Sequence, residues 1–349
     1  MSTSRWLFVF LCLLLGCSAS SSGKAPPSTA SDKPTSPKLR ILSASWPPFV
    51  DTEDNPRVAI DLVSQALARA GYIAVNDVGE IDTVLSELQA GSYDGSAALW
   101  RNEEREQYLL YSEPYLENRL LLVGKKGSDV SATSFAALAG KKIGIVQGYA
   151  YGPELDNAKE PTFVRQASTD ENLRSLLHGE VDYVLTDALV IHQLAQHYPT
   201  QTRDKLELGT AVLIKRPLYL TLRKTLPDAE RIMAAFNRQL EKMLQDGSFA
   251  RAIHVDWIET DIDHDGITEL VAANDQVGPE APQSGYRVAG PSGSGGPGTS
   301  DHDPAGGGGR FVVRGVAYDS WSAVPDEYKA PYNQPGSKPT TLRASVVEW

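Results

Sequence analysis

The sequence of 349 residues predicts an α/β fold divided into two lobes. Short apolar segments typical of strands alternate with amphipathic helical segments, and this order favours mostly parallel sheets. The alternation runs through residues 38–123, starts again over 141–200 and returns over 217–258. Two lobes joined by strands that cross between them fit this order. We therefore assign residues 38–123 and 213–258 to lobe 1 and residues 124–212 to lobe 2.

Short apolar runs predict the strands. The first run, residues 38–43, precedes Trp46-Pro47-Pro48-Phe49, where the two prolines indicate a loop. The other strands are predicted at residues 94–99, 120–125, 142–146, 181–186 and 218–223.

Apolar residues that recur every three or four positions predict the helices. Residues 57–70 carry this spacing, and Gly71 provides the expected end of that helix. Gly91 and Gly179 end two further helices in the same way, and Gly247 breaks another. The other helices are predicted over residues 81–88, 173–177, 188–197 and 232–243, with a last short helix ending near Trp257.

The start of the chain indicates export. One basic residue precedes an apolar run of roughly ten residues, too short to span about 30 Å of hydrocarbon as a helix. We interpret residues 1–16 as a signal peptide. The run ends at Gly16-Cys17, which resembles the bacterial lipobox, where the cysteine takes a diacylglycerol; the alternative is an ordinary signal peptide. Residues 17–37 are rich in Ser, Pro and Ala and predict a lipid anchor with a flexible tether.

The charge, the cysteine content and two missing motifs argue against several classes of protein. The formal net charge of −11 argues against a nucleic-acid binder, which needs a basic surface. Cys12 and Cys17 are the only cysteines, so the chain after residue 17 has no thiol nucleophile, thiolate metal site or internal disulfide. The sequence contains neither the HExxH motif of zinc hydrolases nor the GxSxG motif of serine hydrolases. These absences argue against a zinc hydrolase and against the commonest kind of serine hydrolase.

The C-terminal part of the chain differs from the two lobes. Residues 259–275 contain the pattern D-x-D-x-D-G-x-x-E, which resembles the calcium loops of EF-hands and integrin-type blades. Residues 276–309 are rich in Gly, Pro and Ser and predict a linker, and residues 310–349 predict a small segment of unknown role. A structural Ca²⁺ site and an acidic solvated turn remain the two interpretations of the loop. The predicted metal ligands are Asp261, Asp263, Asp265, the carbonyl of Ile267, and Glu269.

Short motifs follow one another along both lobes. In chain order they are WPPF at 46–49, IDL at 60–62, LQAGSYD at 88–94, RNEER at 101–105, YSEPY at 111–115, LAGKKIGI at 138–145 and GEVD at 179–182. Their order and spacing resemble the bacterial extracellular solute-binding proteins of the polar-amino-acid type, family 3, which are the capture components of ABC importers. The resemblance covers residues 38–258 and implies the two-lobe, type II periplasmic-binding-protein fold with hinge strands.

The resemblance also implies which residues hold the ligand. Arg105 takes the place of the arginine that binds the α-carboxylate, a task that suits the planar fork of a guanidinium. Asp187 takes the place of the aspartate that binds the α-ammonium. Trp46 or Phe49 takes the place of an aromatic residue packed on the ligand, although Phe49 is more typical of the core. Two simpler interpretations stay open, since Arg105 fits an exposed loop and Asp187 fits a helix cap.

Four residues depart from the family pattern. Asn102 replaces a threonine, Trp100 is bulky where a modest residue is usual, and Tyr149 and Tyr151 replace part of a Gly-Thr-Thr stretch. We expect all four at the ligand, where aromatic surface suits an aromatic, cationic or larger amino acid. Packing in the core or at the hinge is the alternative for the two tyrosines.

The resemblance favours capture of an amino acid or a similar small polar solute in a cleft between the lobes. We therefore expect a protein that is not an enzyme and requires no cofactor. The protein is then expected to be a monomer on a lipid anchor, periplasmic or at the cell surface, that delivers its ligand to an ABC permease. Two alternatives use the same scaffold: a dehydratase-like enzyme and a ligand sensor. The acidic composition again argues against nucleic acid as a partner.

Overall fold

The computed structural model describes residues 36–52, 57–246, 248–253, 257–260, 269–272, 286–288, 310–313 and 316–325. These residues belong to one compact unit that begins at Ser36. The predicted signal peptide, Cys17 and nearly all of the predicted tether lie outside them. Among the described residues, no helix combines the length and the apolar character needed to cross a membrane.

Lobe 1 is built on a mixed sheet. Its central strand β1 pairs in parallel with β2 and β3, and the late strand β10 pairs antiparallel with β3 and β4. The elements of lobe 1 are β1 (Lys38–Ala44), α1 (Val58–Arg69), β2 (Ile73–Gly79), α2 (Ile81–Ala90), β3 (Gly95–Leu99), α3 (Glu103–Glu106), β4 (Leu109–Tyr111), β10 (Ile214–Arg223), α8 (Ala229–Gln245) and α9 (Ser248–Ala252).

Lobe 2 repeats this design. Strand β6 pairs in parallel with β7 and β8, and β5 pairs antiparallel with β8 and β9. The elements of lobe 2 are β5 (Leu116–Lys125), β6 (Lys142–Val146), α4 (Pro153–Asp156), β7 (Thr162–Gln166), α5 (Thr169–His178), β8 (Tyr183–Asp187), α6 (Ala188–His197), α7 (Pro199–Lys205) and β9 (Leu206–Leu208), with a 3₁₀ turn at Phe135–Leu138.

Two long antiparallel strands connect the lobes. The first half of β5 pairs with the first half of β10, from Leu116 opposite Leu218 to Leu120 opposite Ile214. Beyond this crossing, β5 continues into the sheet of lobe 2 and β10 into that of lobe 1. The lobe boundary predicted at residue 123 therefore falls inside β5, which already pairs with β8 from Leu120 onwards. The predicted α/β class with two lobes and hinge strands is confirmed.

The helices follow the predicted apolar spacing. Helix α1 buries seven residues, among them Val58, Leu62 and Leu67, against the sheet of lobe 1. Gly91 and Gly179 follow α2 and α5 with φ values of 84° and 80°, the left-handed conformation that ends helices and favours glycine. These sharp ends allow each helix to turn directly back into a strand of the sheet.

Residues after lobe 1 form further strands. These strands are β11 (Trp257–Thr260), β12 (Glu269–Ala272), β13 (Tyr286–Val288), β14 (Phe311–Val313) and β15 (Val316–Tyr318). The prediction of a helix up to Trp257 was wrong: α9 ends at Ala252, and Trp257 begins a strand that pairs with β12. Leu270, Phe311, Val313 and Val324 pack into a small apolar cluster of their own.

The close approach of β3 to β10 yields a test of the fold. A Cβ atom at Gly95 would lie 2.0 Å from the Thr221 carbonyl oxygen and 2.9 Å from the Leu222 side chain. Gly95→Ala should therefore force the strands apart and lower the free energy of unfolding by about 1–3 kcal/mol, measured by urea denaturation. Gly79→Ala is the control, because its Cβ would meet only Leu42, at 3.6 Å. Equal unfolding midpoints for the two variants would contradict the observed β3–β10 packing.

Candidate functional site

A small cavity lies where strands of both lobes end. Trp46 follows β1 and Trp100 follows β3 in lobe 1, and Tyr149 follows β6 in lobe 2. These three aromatic residues line the cavity together with Arg105 and the neighbouring apolar side chains of Ala44, Ile81, Ala98, Leu99 and Ala150. Its position beyond the carboxyl ends of parallel strands is the usual place for a ligand in α/β folds. The cavity measures about 20 Å³, close to the space that one water molecule needs.

Arg105 is the one charged residue among those that line the cavity. It lies in α3, whose first turn is fixed because the Asn102 side chain accepts a hydrogen bond from the Arg105 backbone N–H. The Arg105 side chain is 5% exposed. Its guanidinium donates to the carbonyl oxygen of Trp100, at 2.9 Å, and to that of Gly148 in lobe 2. Arg105 therefore joins the two lobes directly.

The electrostatic state of Arg105 is unusual for an arginine. Burial lowers the pKa of its guanidinium, since removal from water disfavours the charged form. Within the part of the chain that the structure describes, this guanidinium is bonded to carbonyl dipoles and forms no ion pair. A buried cation without a counter-ion is costly, and a carboxylate placed at the cavity would relieve that cost.

Aromatic rings from both lobes pack around Trp100. Its ring centroid lies 5.3 Å from that of Trp46, 5.3 Å from that of Tyr149 and 5.4 Å from that of Tyr151, in T-shaped contacts. Trp46 also contacts Tyr149 at 5.5 Å and Phe49 at 4.5 Å. The rings thus pack on one another and leave little open cleft, which the sequence did not indicate.

Asp187 caps a helix at the end of β8. Its Oδ1 accepts a hydrogen bond from the Leu189 N–H at 2.7 Å, and its Oδ2 accepts from the Arg119 N–H at 2.8 Å. Oδ2 also accepts from the Asn118 amide at 3.2 Å. Burial raises the pKa of this carboxyl group to about 6, and these three hydrogen bonds work in the opposite direction. Asp187 therefore caps α6, as the simpler interpretation predicted. Its role in ligand binding stays a prediction.

Asn118 connects Asp187 to the cavity. It lies in the hinge strand β5 and is 1% exposed. Its side-chain oxygen accepts from the Trp100 indole N–H at 2.8 Å, while its amide donates to Asp187. Asn118 was not predicted as a site residue. A single asparagine in a strand gives no sequence pattern that distinguishes a side chain facing solvent from one facing a buried partner.

Three of the predicted ligand residues lie beside the cavity and do not line it. They are Asn102, Tyr151 and Asp187. The Asn102 oxygen caps α3, and the Tyr151 hydroxyl accepts a hydrogen bond from the Val146 N–H at 2.9 Å. These contacts hold α3 and the loop after β6 in place. The remaining predicted residues, Arg105, Trp46, Trp100 and Tyr149, meet at the cavity.

The predicted calcium loop falls mostly outside the described residues. Asp261, Asp263, Asp265 and Ile267 all lie in residues 261–268, which the structure does not describe. Glu269 begins β12, is fully buried and forms an ion pair with Arg310 at 3.3 Å. Within the described ranges, no three acidic, histidine or cysteine side chains form a cluster able to hold a metal ion. Calcium binding stays a prediction.

Comparison with known proteins agrees with the fold. The family model described as "Bacterial extracellular solute-binding proteins, family 3" matches residues 40–260. ABC transporter arginine-binding protein 2 of Escherichia coli K12 is 25% identical over 227 residues, 62% of this chain and 88% of that protein. A membrane-bound lytic murein transglycosylase F of Desulfosudis oleivorans is 25% identical over 53% of this chain, but only 41% of the transglycosylase is covered.

A solved structure has the same fold. The structure of an ancestral arginine-binding protein bound to arginine superposes with a TM-score of 0.54 at 24% identity. The match covers 62% of this chain and 97% of the other. More than a third of this chain has no counterpart in that structure.

The buried carboxyl of Asp187 yields a pH-dependent prediction. Its pKa is about 6 in the folded state, above the ordinary value of 3.8, so the folded state holds a proton that the unfolded state has lost. This residue's contribution to stability is therefore full below about pH 4 and lost as the pH rises to about 6, by roughly 3 kcal/mol.

Asp187→Asn should remove this pH dependence. The variant is expected to be less stable at every pH, because its amide N–H₂ faces N–H donors. The informative quantity is the slope of the unfolding free energy, measured by urea denaturation, between about pH 4 and pH 7. The difference between wild type and variant should shrink as the pH rises. A constant difference across this range would show that Asp187 does not titrate there.

Proposed function

The chain belongs to family 3 of the bacterial extracellular solute-binding proteins, and from this premise we propose that it captures an amino acid between its two lobes. The observation that carries the proposal is Arg105, a buried cation at the cavity that is bonded only to carbonyl oxygens among the described residues. The proposal gives the cleft a binding role and no chemistry. The relative from E. coli, named for arginine binding and an ABC transporter, supports an amino acid as the ligand.

The α-carboxylate of the ligand would bind Arg105. The guanidinium presents parallel N–H donors that match the two oxygens of a carboxylate. One of these donors now bonds to the Gly148 carbonyl, which belongs to lobe 2. An incoming carboxylate would therefore replace the neutral Gly148 carbonyl with a charged acceptor for this donor. The charged hydrogen bonds formed in a site removed from water are stronger than the one they replace.

Asp187 is the acceptor that we assign to the ligand's α-ammonium. Its carboxylate belongs to lobe 2 and Arg105 belongs to lobe 1, so a zwitterion bound to both groups would contact both lobes. The hydrogen-bonded path from Trp100 through Asn118 to Asp187 links this group to the cavity wall. A cation beside Asp187 would stabilise its charged form and lower the raised pKa, which makes binding favourable above about pH 6.

Closure of the lobes would enclose the ligand. The two lobes already meet in the structure, through the Arg105–Gly148 hydrogen bond and the contacts of Tyr149 with Trp46 and Trp100. A cavity of about 20 Å³ does not hold an amino acid, so the lobes must part before a ligand enters. Strands β5 and β10 are the two connections at which they would bend. A ligand that binds the closed form better shifts the population toward it.

The cellular setting completes the proposal. Cys17 would carry the lipid anchor, and residues 17–37 would hold the lobes away from the membrane. The protein would then work as a monomer in the periplasm or at the cell surface and deliver its ligand to an ABC permease. The acidic loop would bind Ca²⁺ as a structural ion.

Arg105→Ala tests the proposed function. Purified protein is heated with each proteinogenic L-amino acid and with L-cystine, and unfolding is followed by fluorescence. A ligand present at 100 times its dissociation constant should stabilise the wild-type protein by about 2.7 kcal/mol. Arg105→Ala should abolish this response, since the carboxylate loses its partner. The decarboxylated amine of any responding amino acid should give no response with the wild type.

The control is Arg101→Ala, which removes an arginine four positions earlier that is about half exposed and paired with Glu106. This variant should respond like the wild type. Circular dichroism of each variant establishes that it is folded. An unchanged response of Arg105→Ala, or no response of the wild type to any amino acid, would overturn the proposed function.

A further inference from the structure

We infer that Tyr149 limits the size of the ligand, so that the site takes glycine, alanine or another amino acid with a small side chain. The inference rests on the proposed function and specifies the class of ligand. It runs against the sequence-based expectation of a large or cationic ligand, because the aromatic rings fill the cleft where such a side chain would lie. The argument depends on how Trp100 and Tyr149 are held.

Trp100 forms a fixed wall of the site. It is 4% exposed and contacts three other aromatic rings. Its indole N–H donates to Asn118, and its carbonyl oxygen accepts from Arg105. Rotation of the ring would break the first bond, and displacement of the backbone would break the second. A ligand at Arg105 must therefore fit beside Trp100 as it stands.

Tyr149 closes the site from lobe 2. With the lobes in contact, the backbone just before it lies against the start of α2 in lobe 1, and Gly148 has a φ of 76°. A Cβ atom at Gly148 would be only 3.0 Å from the Asp82 carboxylate and 3.1 Å from Ile81. The Tyr149 ring packs against both Trp46 and Trp100, with centroid distances of 5.5 Å and 5.3 Å, and the two tryptophan rings also contact one another.

Small and long ligand side chains therefore need different changes in the space beside Arg105. The cavity of about 20 Å³ holds no amino acid, so the lobes must separate for any ligand. A small amino acid then needs only the Gly148 carbonyl to give way to its carboxylate at Arg105. A long side chain would have to displace the Tyr149 ring and break its contacts with both tryptophans. The contacts of Trp100 extend to the hinge through Asn118, whereas the Tyr149 ring is partly exposed and makes its ring contacts within the site. Tyr149 is thus the residue whose removal should widen the site at the lowest cost.

The test compares ligand size across three proteins. Isothermal titration calorimetry is performed with glycine, L-alanine, L-arginine and L-tryptophan on the wild type, Tyr149→Ala and Tyr149→Phe. The wild type should bind glycine or alanine at least tenfold more tightly than arginine or tryptophan. Tyr149→Ala should bind one of the large amino acids at least tenfold more tightly than the wild type does. Tyr149→Phe keeps the ring and should retain the wild-type preference.

The outcomes separate this inference from the proposed function. Wild-type protein that binds arginine or tryptophan as tightly as glycine or alanine would overturn the size limit and leave amino-acid capture intact. A loss of affinity for large ligands in Tyr149→Ala would show that the ring stacks on the ligand, and would also overturn the limit. If no amino acid binds to the wild type or to either variant, the proposed function and the inference both fail.

Discussion

The site depends on one buried guanidinium. Arg105 reaches from α3 of lobe 1 to a carbonyl of its own lobe and to the Gly148 carbonyl of lobe 2. A charge in this position is tolerated because backbone dipoles from two directions partly replace water. It also makes the contact between the lobes polar and exchangeable, since a stronger acceptor can take the place of a carbonyl. Under the proposed function, this one group would take part both in closure of the lobes and in binding of the ligand.

The hinge and the site are parts of one network. Strand β5 passes between the lobes and carries Asn118, which bonds to Trp100 at the cavity and to Asp187 at the start of α6. Bending of β5 therefore changes the positions of the groups on both sides of Asn118. A ligand that holds Trp100 and Asp187 in fixed positions would in turn resist bending. Under the proposed function, this geometry would let a small bound solute influence the relative positions of two much larger lobes.

Most of the fold is predictable from local patterns. Buried strands such as β3 and the amphipathic helix α1 reveal themselves because their apolar residues follow the period of the element. Strands β2 and β7 were not predicted, since both lie at sheet edges, where exposed and half-buried positions alternate without a continuous apolar run. The helix predicted to end near Trp257 was wrong for a related reason, since a strand depends on its partner. Residues 257–260 pair with β12, which lies beyond the acidic residues 261–268 in the chain.

The sequence by itself determined the α/β class, the two lobes, the family and the residue types at the site, because periodicity and motif spacing are local properties of the chain. It also singled out Arg105, because a short motif contains this residue, and the structure places Arg105 at the cavity. Only the tertiary structure decided that Trp46, Trp100 and Tyr149 pack on one another, and that Asn118 joins the cavity to Asp187. Such contacts join residues that are far apart in the chain, and their distances depend on how two separately folded lobes approach each other.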